Sequence, residues 1–446
     1  MDAPDVLSRL STVGLKGSVV TPSDAGYDQA RRVWNGCADR RPKAIVRAAG
    51  VGDVQRVVGI AAESGISLAI RGGGHSLPGL STCDGGIILD LGQLNQVTVD
   101  PALRRATVGG GALLGDLDRT GAPHGLVVPA GVVSHTGAGG LTLGGGMGWL
   151  SRRFGLTIDC LEAAQLVTAA GDVRRIDAAS DPELFWGLRG GGGNFGVVTE
   201  FSYRMENLGP VQTRSWTYPS ARVAEAVRAL GPLAEAAQRT LTCSFAVVRG
   251  GLSLTVLQSG PAIGEGLWNG FAHLAGPGTP GPSYSDFVAF QCRNDDRVPW
   301  GRRYYARGGF LNSLGDAEVR AILAVTEHLP TEESEVYCLQ LGGAVTDVAD
   351  HATAYSGRSA QWYWIVQPIW DDQKDDGRCL AAGRAGAAQM TAVSARDNYV
   401  NEQADAGTEI AAQSYGQEKY RRLGALKARL DPANLFRLNQ NILPLT

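Results

Sequence analysis

The chain has 446 residues, 44% hydrophobic and 19% charged, with a formal net charge of -3. That composition supports a buried core and excludes disorder, and the near-neutral balance gives no electrostatic basis for nucleic-acid or anionic-membrane partners. The longest apolar runs are strand-sized, too short to span a bilayer, and the length suggests two or three domains.

The start, Met1-Asp2-Ala3-Pro4-Asp5, has neither a basic stretch nor an apolar signal core, so a cytoplasmic location is the expectation. Strands are predicted at Ala44-Ile45-Val46-Arg47 and Ile66 to Ile70, with a helix from Val51 to Glu63 between them. Asp53 in the first turn suits the helix dipole, and strand–helix–strand succession predicts a parallel crossover. A short helix is predicted near Tyr27 to Trp34. Further strands are read at Gly86–Leu91, Val97–Asp100 and Ala106–Val108, and a helix from Ala112 to Thr120. Leu161–Thr168 and Val173–Ile176 flank Ala169-Ala170-Gly171-Asp172, a hairpin turn. A helix starts at Asp181-Pro182, and the strand Val197–Tyr203 follows. Composition changes near residue 206. From there to 395, helix-like Ala-rich segments alternate with strands such as Leu252–Gln258, Val336–Leu341 and Trp362–Ile369, which predicts an antiparallel sheet. Tyr415 to Leu430 is a helix ended by Asp431-Pro432. The expected class is α+β, divided into 1–205, 206–395 and a returning C-terminal segment 396–446.

Seven scattered cysteines without a CxxC pair fit reduced thiols. Six histidines without HExxH or HxH spacing predict no metal site, and the GxSxG and P-loop patterns are absent.

Glycine is the outlier, 61 residues and about twice the usual share. More than a quarter of positions 71 to 148 are glycine, a density that suggests backbone wrapped around an extended ligand. The first cluster, Arg71-Gly72-Gly73-Gly74-His75-Ser76, ends a strand. By itself it is equally a glycine turn closed by a packed histidine. The second runs from Pro129 to Trp149, with aliphatic and hydroxyl residues interleaved. The third is Arg189 to Gly196. Gly191, Gly193 and Gly196 satisfy GxGxxG, but a helix precedes them and a strand follows, the reverse of a dinucleotide-binding turn.

Together with Tyr399-Val400-Asn401, Tyr415-Gly416, Asp431 to Arg437 and Asn439-Gln440-Asn441-Ile442, these clusters resemble the berberine bridge enzyme-like flavin oxidases. That family has the PCMH-type FAD-binding domain of the vanillyl-alcohol oxidase fold. The matches run in order from about residue 20 to 443 and are specific jointly rather than singly.

The resemblance implies FAD. It would be held by Arg71, Gly72, Gly73, Gly74, His75 and Ser76, by Gly131, Val132, Ser134, Thr136, Gly137, Gly139, Gly140 and Leu141, by Val198, and by Asn439 and Asn441. It also implies a bond from the His75 ring to the flavin 8α carbon. Many relatives carry a second bond from a cysteine whose position here is Val133, so a single tether is expected. Cys160 is nearest along the chain and reads as an ordinary buried thiol. Thr136 stands at the family's oxygen-access position, and Met147 replaces the aromatic expected of an oxygenating member.

Tyr399 and Tyr337 are the implied catalytic pair. A phenol with an ordinary pKa near 10 is a poor base at neutrality, so one of them needs a depressed pKa or a partner. Two packed aromatics remain the alternative. Trp362, Trp364 and Trp370 recur at period two, either as core packing or as a substrate wall, with Tyr363 or Gln367 opposite.

The expected partners are a small metabolite or sugar, oxidised at a C–OH or C–N carbon, and O2, with H2O2 as product. An oxygenase or oxidative cyclase, or a flavin-binding protein without turnover, are the other readings.

Overall fold

A computed structural model describes residues 6–395 and 398–445. Helix Val51–Ser64 crosses between strands Ala44–Arg47 and Leu68–Arg71, as the succession predicts. Strand Ile87–Asp90 is inserted between those two and runs parallel to both, which buries Ile87, Ile88 and Leu89 at the centre of a four-stranded sheet. Ser18–Val20 closes one edge antiparallel. The helix stops at Gly65, whose φ of 67° is the left-handed cap that glycine adopts without a steric penalty.

A second sheet is antiparallel throughout, in the order Val97–Asp100, Arg105–Gly109, Val197–Arg204, Leu161–Val167, Val173–Asp177. Its last two strands form the expected hairpin, with Gly171 at φ 84° in the turn.

The third sheet has seven strands, including Gly251–Ser259, Leu241–Val248, Glu335–Gln340, Trp362–Gln367 and Arg307–Leu311 in that spatial order. Its period-two alternation sorts side chains cleanly. Trp362, Trp364 and Val366 join a core with helices Val223–Glu235, Asp316–Glu327 and Asp376–Thr391. Tyr363 and Ile365 face the other way, into a separate cluster. The tryptophan stripe is therefore sheet-to-helix packing. Pro368 interrupts the alternation, and Trp370 lies in a short strand paired with Arg303–Tyr304, against Tyr305 and Cys379.

The C-terminal helix, Thr408–Leu430, begins earlier than predicted and is broken at Gly416, where φ is 71°. Near its end the fully buried Lys427 donates to Asp431 Oδ2 (2.7 Å), Asn194 O (2.8 Å) and Phe436 O (2.9 Å). Asp431 also accepts from the backbone of Leu435 and Phe436. The last segment is thereby pinned to the third glycine cluster, where Asn194 Nδ2 donates to Gln440 O and Asn194 Oδ1 accepts from Ile442 N.

Removing one member of a buried, hydrogen-bonded ion pair leaves a desolvated charge. Lys427→Met is expected to lower unfolding stability by about 3–5 kcal/mol, against less than about 1 kcal/mol for Arg429→Met in the exposed pair with Asp181. Urea unfolding midpoints distinguish the two.

Candidate active site

A cavity of about 670 Å³ lies between the three glycine segments and the inner face of the seven-stranded sheet. Gly72, Gly73, Gly74, His75 and Ser76 line it directly after strand Leu68–Arg71. From the second segment come Gly131, Val132, Val133, Thr136, Gly137, Gly139, Gly140 and Leu141, from the third Gly192, Gly193 and Gly196, and from the strand after it Val198. The first two segments touch backbone to backbone: a Cβ on Gly73 would lie 2.3 Å from Gly137 N.

Three residues expected to hold the cofactor lie elsewhere. Arg71 turns away from the cavity to pair with Asp90 (2.8 Å) and donate to Ala30 O (2.7 Å), which gives a buried guanidinium both a counter-charge and an acceptor. Ser134 donates to Asp295 Oδ2 at 2.5 Å, anchoring the loop to the 295 turn. Asn441 is not on the wall, which is lined instead by Leu438, Asn439 and Gln440. Asn439 Nδ2 donates back to Phe436 O, and its buried Oδ1 has no partner.

The His75 ring stacks on Trp34 with centroids 4.8 Å apart, and Trp34 stacks in turn on Tyr304 at 4.0 Å. His75 Nε2 lies 2.6 Å from His135 Nδ1. Burial, with His135 adding to it, pushes the His75 pKa down to about 3, so the ring is neutral at physiological pH. His135 was not singled out from the sequence, since the sixty residues separating it from His75 hide the contact.

Tyr337 and Tyr399 face this same cavity, from strand Glu335–Gln340 and from the turn before Val400–Glu402. The Tyr399 hydroxyl accepts from Gly146 N (3.1 Å) and Asn401 Nδ2 (3.0 Å), so its own proton is free to be donated. Burial raises its pKa above the ordinary value, with the Glu402 charge adding to that and the two N–H donors opposing it. Burial pushes Tyr337 up to about 12. Neither phenol is depressed, so both stay protonated. The wall also includes Tyr363 and Gln367, from the strand face opposite the tryptophans, and Glu402, which the sequence did not single out. The signal for the first two is the strand alternation; for Glu402 it is the three-residue spacing from Tyr399 on one turn.

The cavity suits a flat, polar cofactor. Gly140 and Gly193 line it, and a Cβ on either would meet no protein atom within 4 Å, while Ser81 Oγ and Asn439 Oδ1 lack partners in its wall. Among the described residues no cluster of three or more His, Cys, Asp or Glu could hold a metal ion, and no helix is long and apolar enough to cross a membrane.

Such a cavity fits a flavin, and comparison with known proteins gives the class, an FAD-linked oxidoreductase. Residues 42–177 match the FAD binding domain family, and residues 398–443 the berberine and berberine-like family. The chain is 31% identical to an FAD-linked oxidoreductase of Dictyostelium discoideum, over 97% of this chain and 95% of that one. It is 30% identical to (R)-6-hydroxynicotine oxidase of Paenarthrobacter nicotinovorans, over 98% and 99%. The crystal structure of 6-hydroxy-D-nicotine oxidase from Arthrobacter nicotinovorans superposes with a TM-score of 0.83 at 28% identity, covering 97% of this chain and 99% of that one. The chain belongs to the berberine bridge enzyme-like family of FAD-linked oxidoreductases.

Gly193 has open space and no left-handed φ, so Gly193→Leu adds volume to the cavity without backbone strain. The variant is expected to purify with markedly less flavin per chain, because a side chain in that space opposes cofactor entry before any bond to it forms. Gly250→Leu, outside the cavity wall, should stay fully loaded, as read from the ratio of visible to ultraviolet absorbance.

Proposed function

We propose that the protein is an oxidase that removes hydride from a carbon bearing oxygen or nitrogen in a small molecule, with O2 as electron acceptor and H2O2 as product. The observation that carries this reading is the single cavity shared by His75, Thr136, Tyr337 and Tyr399 at the meeting of glycine loops and sheet. Bound FAD supplies the two-electron acceptor. Residues 1–205 and the returning segment 396–446 would hold it, and 206–395 would contribute the substrate wall.

The chain's own groups have separable tasks. His75, neutral and held by His135 through Nε2, offers its other ring nitrogen as a nucleophile for the flavin 8α carbon. Val133 lines the cavity where relatives offer a thiol, and Cys160 is buried in another core with its pKa pushed up to about 12. The tether is therefore from His75 alone. Tyr399 donates its hydroxyl proton as a hydrogen bond to the substrate heteroatom while Gly146 and Asn401 hold the oxygen in place. Thr136 leaves a small side chain on the wall, which favours oxygen access.

Acid-precipitated wild-type protein is expected to stay yellow, with flavin mapping to the His75 peptide only. His75→Ala should give a colourless pellet; flavin on any cysteine peptide, or a colourless wild-type pellet, contradicts the single tether. Tyr399→Phe should slow anaerobic flavin reduction about 10²-fold, with a much smaller effect on substrate Kd. A Kd effect exceeding the rate effect removes its proposed role. Peroxide release during turnover checks the oxygen half of the reading.

A further inference from the structure

Trp300 is 48% exposed, and the chain on either side of it is fixed. Val298 O accepts from Trp34 Nε1 (2.8 Å), Pro299 O accepts from the Tyr304 hydroxyl (2.9 Å), and Gly301 N donates to Trp34 O (2.9 Å). That clamp brings the indole edge-on to the His75 ring, with centroids 6.2 Å apart and planes at 88°. Gly74 makes room for it: a Cβ there would lie 2.9 Å from Trp300 Cη2. His75 lines the cavity and Trp300 does not, so the histidine ring stands between the cavity and an indole that meets solvent. Among the described residues three rings meet His75, those of Trp34, His135 and Trp300, and Trp300 is the exposed one. Trp34 leads inward instead, to the buried Tyr304.

Covering Gly74 needs only an apolar side chain. An indole adds a polarizable π face, on which a planar, electron-poor ring stacks. It also puts a ring edge against the ring that would carry the flavin. Electron transfer falls off steeply across open gaps and less so across bonded or touching rings. The contact is therefore a short route between the tethered edge of the cofactor and a molecule outside the cavity. The partner for such a route is an electron acceptor that need not enter the cavity. A quinone has that chemistry: it is planar, electron-poor and takes up two electrons.

Resting on the His75 tether above, we propose that Trp300 is the docking ring for a quinone, which takes electrons from the reduced flavin through His75 as an alternative to O2. The quinone stacks on the free face of the indole. Two electrons leave reduced FAD and pass across the His75 and Trp300 rings to it. The two protons lost with them go to water, and the quinone takes two from water, so the products are oxidised FAD and a hydroquinone.

The test uses flavin-loaded protein and begins with binding alone, by equilibrium dialysis of anthraquinone-2,6-disulfonate against the oxidised form. Trp300→Leu keeps an apolar cover on Gly74 but has no ring, and it should raise the Kd at least about tenfold. Trp300→Tyr should stay within about threefold of the wild type. Protein reduced anaerobically with dithionite is then mixed either with 2,6-dichlorophenolindophenol, a quinone imine, or with O2. In Trp300→Leu reoxidation by the dye should slow at least about tenfold, while reoxidation by O2 stays within about twofold of the wild type. Trp300→Tyr should keep most of the dye rate. The proposal is overturned if the wild type shows no saturable binding, or if either the binding or the dye rate fails to fall in the leucine variant. An equal loss with the dye and with O2 overturns it as well, since that marks a disturbed cofactor. Wild-type protein that reacts with the dye and not with O2 counts against the oxidase reading and leaves Trp300 standing. A colourless acid-precipitated wild-type pellet takes away the tether and the route with it; a yellow pellet with an unaffected leucine variant takes away the route alone.

Discussion

The centre of the molecule depends on two glycine segments lying backbone against backbone. A Cβ on Gly73 would sit 2.3 Å from Gly137 N, and one on Gly137 would sit 2.4 Å from Gly73 N, with only rigid backbone to give way. Neither position needs an unusual φ; what it needs is the absence of a side chain. This contact brings His75 to His135, and the Ser134–Asp295 and Arg71–Asp90 pairs hold the two loops from behind. The cavity's cofactor side is thus made of backbone, supported by charged groups that do not themselves reach it.

The opposite wall is made of side chains on a regular sheet. Because alternate residues of Trp362–Gln367 face opposite ways, the strand puts tryptophans into the helix-packed core and Tyr363, Ile365 and Gln367 onto the cavity. A one-residue slip in register would exchange the two sets, so packing of Trp362 and Trp364 positions the substrate wall indirectly. The two halves are joined through Asn35, whose Nδ2 donates to Leu77 O and Tyr304 O while its Oδ1 accepts from Tyr304 N. Trp34 beside it, stacked between His75 and Tyr304, carries that tie to the histidine.

Electrostatics assigns different work to groups that look alike in sequence. Tyr337, Tyr363 and Tyr399 are all pushed up by burial and stay protonated, and burial raises the carboxyl of Glu402 on the same wall as well. Of the two conditions expected of a catalytic phenol, a depressed pKa or a partner, neither implicated tyrosine meets the first and Tyr399 meets the second, through Gly146 and Asn401.

Most strands and helices were legible in the sequence because hydrophobic periodicity and glycine or proline punctuation are local: Ala44–Arg47 and Val97–Asp100 fall where the pattern puts them. The glycine segments and the motif Tyr399-Val400-Asn401 likewise determined the family and the FAD, since close backbone approach demands residue types that few alternatives satisfy. Insertion of Ile87–Asp90 between the crossover strands was not legible, because strand order is a non-local choice among buried apolar strands that look alike. Nor were the roles of Arg71 and Ser134, which depend on where Asp90 and Asp295 come to lie, nor the placing of Asn439 rather than Asn441 on the cavity wall. The sequence by itself determined the fold class and the kind of cofactor. Only the tertiary structure decided which polar side chains lack a partner, such as Asn439 Oδ1 and the Tyr363 hydroxyl, since that depends on every neighbour in space.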